Sequence, residues 1–318
     1  MFHTARDRAL DLGYAAGWNL VKGMPRPLSA RAFQAAADAA AVRNGPRVRQ
    51  LRKNLRRVVG PDLPELEMDE LVGAALRSYA RYWLETFRLP TMDARSIADA
   101  FGDGLVGAEH ITAGLERGKG VILALPHSGN WDVAGLWLVS RHGSFTTVVE
   151  RLQPESLFDR FVAYRESLGF ETVALTGGQR PPMAVLAERL RENRVVCLLA
   201  DRDLSHNGIE VQFFGEPTRM PAGPALLAAT TGATLHAVHC YFRGEQAWGA
   251  SVSAPIGLPG ERLREQVTAG MQTLADRFAQ RIAEHPADWH MLQRLWLADR
   301  PPGRAAEPAA AATSLASG

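Results

Sequence analysis

The chain has 318 residues, 46% of them hydrophobic, and a formal net charge of only +2. That apolar content suffices for a sizeable core, and the near-balanced charge excludes a polybasic nucleic-acid binder. Two cysteines, Cys197 and Cys240, sit in separate apolar segments without metal-type spacing and are expected to be buried core thiols of a reducing compartment.

The N-terminal segment carries acidic as well as basic residues and shows no signal-peptide pattern. Its best apolar stretch, Ala9 to Met24, is interrupted by Asp11, Asn19 and Lys22 and is too short and polar to span a bilayer. The chain is therefore expected in the cytoplasm, on or off a membrane surface. Leu10, Tyr14, Trp18 and Val21 form one helical stripe, with Trp18 suited to a lipid–water interface. Pro25 and Pro27 break that pattern, and a second helix runs from Ser29 to Ala41. A third helical stretch follows, with Arg49, Arg52, Lys53 and Arg56 beside an apolar stripe of Val48, Leu51, Leu55, Val58 and Val59. A cationic amphipathic helix of this kind suits an anionic membrane surface, so the N-terminal helices are expected to associate with membrane. Met68 to Leu89 is a further long helix, ended by Pro90.

Beyond two short helices, at Ile97 to Phe101 and Glu109 to Glu116, apolar runs of strand length alternate with helical patterns. Strands are expected at Gly120 to Leu125, Phe145 to Val149, Thr172 to Leu175, Val195 to Ala200, Thr234 to Phe242 and Ala247 to Val252. Helices are expected over Trp131 to Ser140, Pro154 to Leu168, Pro181 to Arg191, Gly223 to Thr231 and Glu261 to Glu284. This alternation predicts an α/β fold with a mostly parallel central sheet flanked by helices. A single domain over 1–299 follows: a helical, membrane-associating part (1–90), an α/β catalytic core (118–255) and C-terminal helices (261–299). The Pro- and Ala-rich tail, 300–318, is expected to be disordered.

Three polar clusters stand at strand ends: His127 with Asp132, Glu150-Arg151, and Asp201-Arg202-Asp203. Parallel strands share direction, so the three converge at one sheet edge, where open α/β sheets bind ligands. Together they supply a general base, carboxylates to orient it and guanidinium groups for an anion. Either Asp132 or Asp201 qualifies as the partner of His127. His236 and His239 fall on opposite faces of one strand and make poor metal ligands, so no metal site is expected. Gly102-Asp103-Gly104 and Gly107 have dinucleotide-loop spacing, but no strand precedes them. No Gly-x-Ser-x-Gly elbow exists, which counts against a serine hydrolase.

His127 with Asp132, the Asp201-Arg202-Asp203 turn, the stretch from Gly208 through Phe214, Thr218 and Arg219 to Gly223, and the ending His285-Pro286-Ala287-Asp288-Trp289 resemble the lipid A biosynthesis acyltransferase family. Arg52 to Leu55, Ser78 to Trp83 and Phe87 to Pro90 resemble its actinobacterial branch acting on phosphatidylinositol mannosides. The resemblance covers nearly the whole chain up to Asp299. It implies transfer of a long acyl chain, typically palmitoyl, from acyl-CoA to a mannose hydroxyl at the cytoplasmic face of the plasma membrane, with acyl-CoA as co-substrate and no cofactor. Proline at position 126, where glycerolipid acyltransferases carry Asn, argues against a glycerol-phosphate or lysophosphatidate acceptor. In that mannoside branch Glu is expected where Asp201 stands. In this reading His127 is the base, Asp132 and Asp201 its carboxylates, and Glu150, Arg151, Arg202, Asp203 and Arg219 the substrate-binding groups. The alternatives are another glycolipid or lysolipid acceptor, an acyl-CoA thioesterase, or a non-catalytic membrane-binding module. Leaving out the acceptor separates transferase from thioesterase.

Overall fold

A computed structural model describes residues 20–151, 155–204 and 207–299. Trp18 and the tail beyond Asp299 lie outside the described residues. Three helices open the described chain: α1 (Arg26–Arg43), α2 (Pro46–Val59) and α3 (Glu65–Arg88). Proline at the first helical positions of α1 and α2 is tolerated because those amides have no intrahelical partner. Asn44, in the left-handed region at φ 46°, and Gly60, at φ 89°, end them.

Packing of these helices corrects one expectation. Leu51 and Leu55 of α2 are 1% and 0% exposed, locked with Met68, Val72 and Leu76 of α3 in a separate apolar cluster. The stripe that looked suited to a bilayer is consumed by the protein's own core. Its cationic face is also engaged: Arg52 pairs with Glu65 and Asp69, Arg56 with Glu65, and Arg49 donates to the Asn44 carbonyl at 2.6 Å. Lys53 remains exposed. None of the described helices is long and apolar enough to cross a membrane.

The rest of the chain alternates: α4 (Ala94–Gly102), β1 (Leu105–Val106), α5 (Glu109–Glu116), β2 (Val121–Leu125), α6 (Trp131–His142), β3 (Thr146–Val149), α7 (Glu155–Ser167), β4 (Glu171–Ala174), α8 (Pro182–Arg191) and β5 (Val195–Leu199). There follow β6 (Ile209–Phe213), β7 (Glu216–Met220), α9 (Gly223–Thr231), β8 (Thr234–Arg243), β9 (Ala247–Val252) and α10 (Leu263–Glu284). Seven strands form one sheet in the order β1-β9-β8-β2-β5-β3-β4. From β8 to β4 all neighbours are parallel, while β9 runs antiparallel to β8 and parallel to β1.

Strand β2 is apolar throughout because both its faces are covered. Ile122 and Ala124 face the layer containing α8, α9 and α10, and Val121, Leu123 and Leu125 face the layer of α4 to α7. Cys197 and Cys240 are free thiols in the second layer, as expected, and burial pushes both up, Cys240 to about 12. The hairpin β6-β7 was not foreseen as strands. Its inward Val211 and Phe213 alternate with exposed Glu210 and Gln212, and Phe214 and Gly215, both at positive φ, make its two-residue turn.

One buried carboxylate ties the N-terminal helices to this body. Glu85 of α3 accepts from Arg81 Nε at 2.7 Å, Asn130 Nδ2 at 2.7 Å and Trp248 Nε1 at 2.8 Å. Asn130 in turn caps α6, accepting from the Val133 amide at 3.1 Å. Truncation of Glu85 strands three donors, so Glu85→Ala is expected to cost on the order of 3 kcal/mol in urea unfolding. His239 of β8 supplies a second prediction. Burial, then the charges of His285 and Arg281, push its imidazole down to about 3, and neither ring nitrogen has a hydrogen-bond partner among the described residues. An unfolded histidine takes up its proton near pH 6.5, so between there and pH 3 the unfolded chain binds more protons and stability falls as pH falls. Denaturant midpoints are therefore expected to drop from pH 7 to pH 5, with a shallower drop in His239→Phe.

Candidate active site

Strand β2 stops at Pro126, which cannot donate to a ladder, and the turn that follows carries His127 past the carboxyl end of the sheet. Gly129, at φ 56°, lets the turn lie against β8: a Cβ there would come within 2.5 Å of the Cys240 carbonyl carbon. The segment after α10 clamps the turn from the other side. Gly129 N–H donates to the Asp288 carbonyl at 2.9 Å, His290 N–H donates to the His127 carbonyl at 2.8 Å, and Ser128 and Trp289 form an antiparallel bridge.

Strand β5 is the immediate neighbour of β2, with Leu199 in register with Leu125. Asp201 therefore emerges beside His127. Its Oδ1 lies 2.6 Å from His127 Nδ1, and its Oδ2 accepts the His127 amide at 2.9 Å and the Trp289 indole at 3.0 Å. Asp201 is 0% exposed. Burial works to raise its carboxyl, but the charge and hydrogen bonds of His127 and the Trp289 indole outweigh it and hold the group below the usual carboxylate range. An ionised carboxylate only accepts, so Nδ1 carries a proton, and in the neutral imidazole it is Nε2 that holds the free lone pair. The His127 side chain is 27% exposed, open to a reactant while its partner is not.

Asp132, the other carboxylate considered, turns away from this ring. At 1% exposure it meets Arg165 Nε at 3.1 Å, Tyr82 OH at 3.2 Å and Thr86 Oγ1 at 3.4 Å. Burial opposes the Arg165 charge, yet Asp132 together with Tyr82 and Tyr164 outweighs it and raises the guanidinium above its ordinary value. Asp132 thus ties the first turn of α6 to α7 and α3.

Of the remaining candidates, Glu150 and Arg202 are brought together at 3.3 Å, across the β3 and β5 ends. Arg151 instead pairs with Glu155, four residues on in the sequence, at 2.5 Å. Asp203 accepts the Gly208 amide at 2.9 Å at the foot of the hairpin, and Arg219 stands on β7 opposite Glu210. Glu85, Asn130, Arg165 and Trp289 escaped the sequence reading as site residues. The polar set Ser78, Tyr82, Glu85 and Thr86, spaced to share one face of α3, was the available signal for part of this network. Ser78 completes that face by donating to Asp288 Oδ1 at 2.7 Å.

An apolar cavity opens beside the His127 turn. Trp131, whose ring meets the His127 ring edge-on at 5.7 Å, and Leu125 and Leu199 at the strand ends line it. Its walls extend through Val148 of β3, Val238 of β8, Val252 of β9 and Leu105 of β1, under Phe101 and Trp137. Asp132 and Arg165 are its polar lining. A base on a buried carboxylate, beside a mostly apolar cavity, has the parts for moving a proton next to an apolar group.

The sequence model of the family described as bacterial lipid A biosynthesis acyltransferase matches residues 4–298. Curated relatives from two mycobacterial species carry the name phosphatidylinositol mannoside acyltransferase. That of Mycobacterium tuberculosis is 55% identical over 299 residues, covering 94% of this chain and 92% of the relative. That of Mycolicibacterium smegmatis is 55% identical over 289 residues, covering 91% and 92%. A match of this extent, over a chain whose His127 and Asp201 meet at a sheet edge, makes the protein a member of the bacterial lipid A biosynthesis acyltransferase family and an acyl-transferring enzyme.

Proposed function

We propose that this enzyme moves a long acyl chain, palmitoyl in the first instance, from acyl-CoA to a mannose hydroxyl of a phosphatidylinositol mannoside. The single observation that carries the mechanism is the 2.6 Å contact of His127 Nδ1 with buried Asp201, next to the residues Leu125, Trp131 and Leu199 that line the apolar cavity. The acceptor is drawn from the names of the relatives at 55% identity.

In this reading Nε2 of His127 takes the proton of the acceptor hydroxyl as its oxygen attacks the thioester carbonyl. An alcohol is too weakly acidic to ionise at neutral pH, and a positioned base supplies a factor of about 10²–10⁴. Asp201 holds the ring in the required tautomer and stabilises the imidazolium, as carboxylates do in related dyads. The tetrahedral intermediate then expels the thiolate, which receives the proton from His127. No acyl-enzyme is needed, because the thioester is already activated, and no cofactor enters beyond acyl-CoA as co-substrate.

In this reading the apolar cavity lined by Leu125, Trp131 and Leu199 receives the acyl chain. Arg202, half-neutralised by Glu150, is placed to bind a phosphate or sugar group at the rim. Asp132 supports the site by holding α6 rather than by touching the base. In this proposal the enzyme works peripherally at the cytoplasmic face of the plasma membrane, where a lipid acceptor and a soluble donor meet. Leu20 and Leu28, 64% and 55% exposed near the N-terminal end of the described chain, are apolar groups for that surface, together with Trp18.

The test is mass spectrometry of products from palmitoyl-CoA with phosphatidylinositol mono- and dimannoside, beside lysophospholipid and no-acceptor controls. An acylated mannoside is expected, and free palmitate alone would identify a thioesterase instead. His127→Ala should lower the transfer rate by about 10²–10⁴ in a protein that still folds but with a lowered unfolding midpoint, because buried Asp201 loses its ring donor, and substantial residual transfer would remove His127 from the role of base.

A further inference from the structure

Trp289 touches the proposed dyad twice. Its backbone bridges Ser128, next to His127, and its indole N–H donates to Asp201 Oδ2 at 3.0 Å. The ring is 0% exposed and held by Phe213, Phe214 and Trp296, with centroids 5.9, 6.4 and 6.1 Å away. Its neighbour Trp296 is equally buried but spends its indole N–H on the Phe213 carbonyl at 2.9 Å, a neutral partner that only satisfies the donor. A packing residue needs no more than that. Trp289 instead addresses the charged group that orients the base.

We propose that Trp289 is a positioning residue that acts through Asp201, locking the carboxylate rotamer and drawing off part of its charge so that His127 stays free to accept a proton near neutral pH. The proposal rests on the reading of His127 as the base. With Nδ1 and the amide of His127 on one side and the indole on the other, the carboxylate cannot rotate without losing several charge-assisted bonds. The indole also competes with His127 for the negative charge. Without it, Asp201 would bind Nδ1–H more strongly and favour the imidazolium, which cannot act as a base. The other charged or titratable groups around this pair are Arg202 and Asp203 in the same turn, and His290, whose charge interacts with that of His127. None of these is altered by removing the indole N–H.

The experiment compares kcat/KM against pH for the wild type, Trp289→Phe, the control Trp296→Phe, and a full-length enzyme with benzothienylalanine at position 289, which keeps the bicyclic ring and puts sulfur in place of N–H. Loss of the N–H is expected to move the acid limb upward by about half to one pH unit, a three- to tenfold loss below the limb, with the high-pH plateau kept. Trp296→Phe should leave the limb in place. An unmoved limb with a lowered plateau would make Trp289 a packing residue and overturn the proposal. If Trp289→Phe does not fold, the benzothienyl replacement decides by the same criterion. Retained transfer in His127→Ala would instead defeat the mechanism on which the proposal stands, so the two failures are told apart.

Discussion

The buried Asp201 carboxylate is the interaction on which the site is assembled. A charge with no exposure to water is tolerated only when donors replace its hydration, and here the donors come from two distant parts of the chain. The turn after β2 supplies the ring and amide of His127, and the segment after α10 supplies the Trp289 indole. Satisfying one carboxylate therefore fixes the relative positions of the sheet edge and the C-terminal segment. The same bonds select the histidine tautomer that leaves Nε2 available, so folding and chemistry rest on the same few atoms.

Two other buried carboxylates carry this logic outward. Asp132 joins α6 to Arg165 of α7 and to Tyr82 and Thr86 of α3, and Glu85 joins α3 to Asn130 and Trp248. Helix α3 thus presents Ser78, Tyr82, Glu85 and Thr86 to the surroundings of the His127 turn, while its opposite side packs on α1 and α2. The N-terminal helices are a buttress of the site. This explains why the amphipathic stripe of α2 is spent inside the protein: α3 needs a core behind it to hold its polar face steady.

The spacing between His127 and Asp132 has a different meaning in the fold from the one suggested by proximity in sequence. Asn130 starts α6 and turns the first helical residues into the layer of α7, so Asp132 follows the helix into the protein while His127 stays at the sheet edge. The contact to His127 falls to Asp201, which is 74 residues further along the chain yet one strand away.

Local pattern alone determined the α/β class, the helices and most strands, because an apolar run of five residues bounded by helix starts has few other solutions. It also determined that His127, Glu150 and Asp201 share one edge, since parallel strands put their carboxyl ends together. Strand β1 and the hairpin β6-β7 were less legible: the first is two residues long and defined by its partner Ala250, and the second reads as strands only once its alternation is tested. Strand order decided the rest. Only the adjacency of β2 to β5 chose Asp201 over Asp132, and only the return of the chain after α10 brought Trp289 to the carboxylate. Such choices depend on which side chains meet across hundreds of residues, a quantity that periodicity, being local, does not contain.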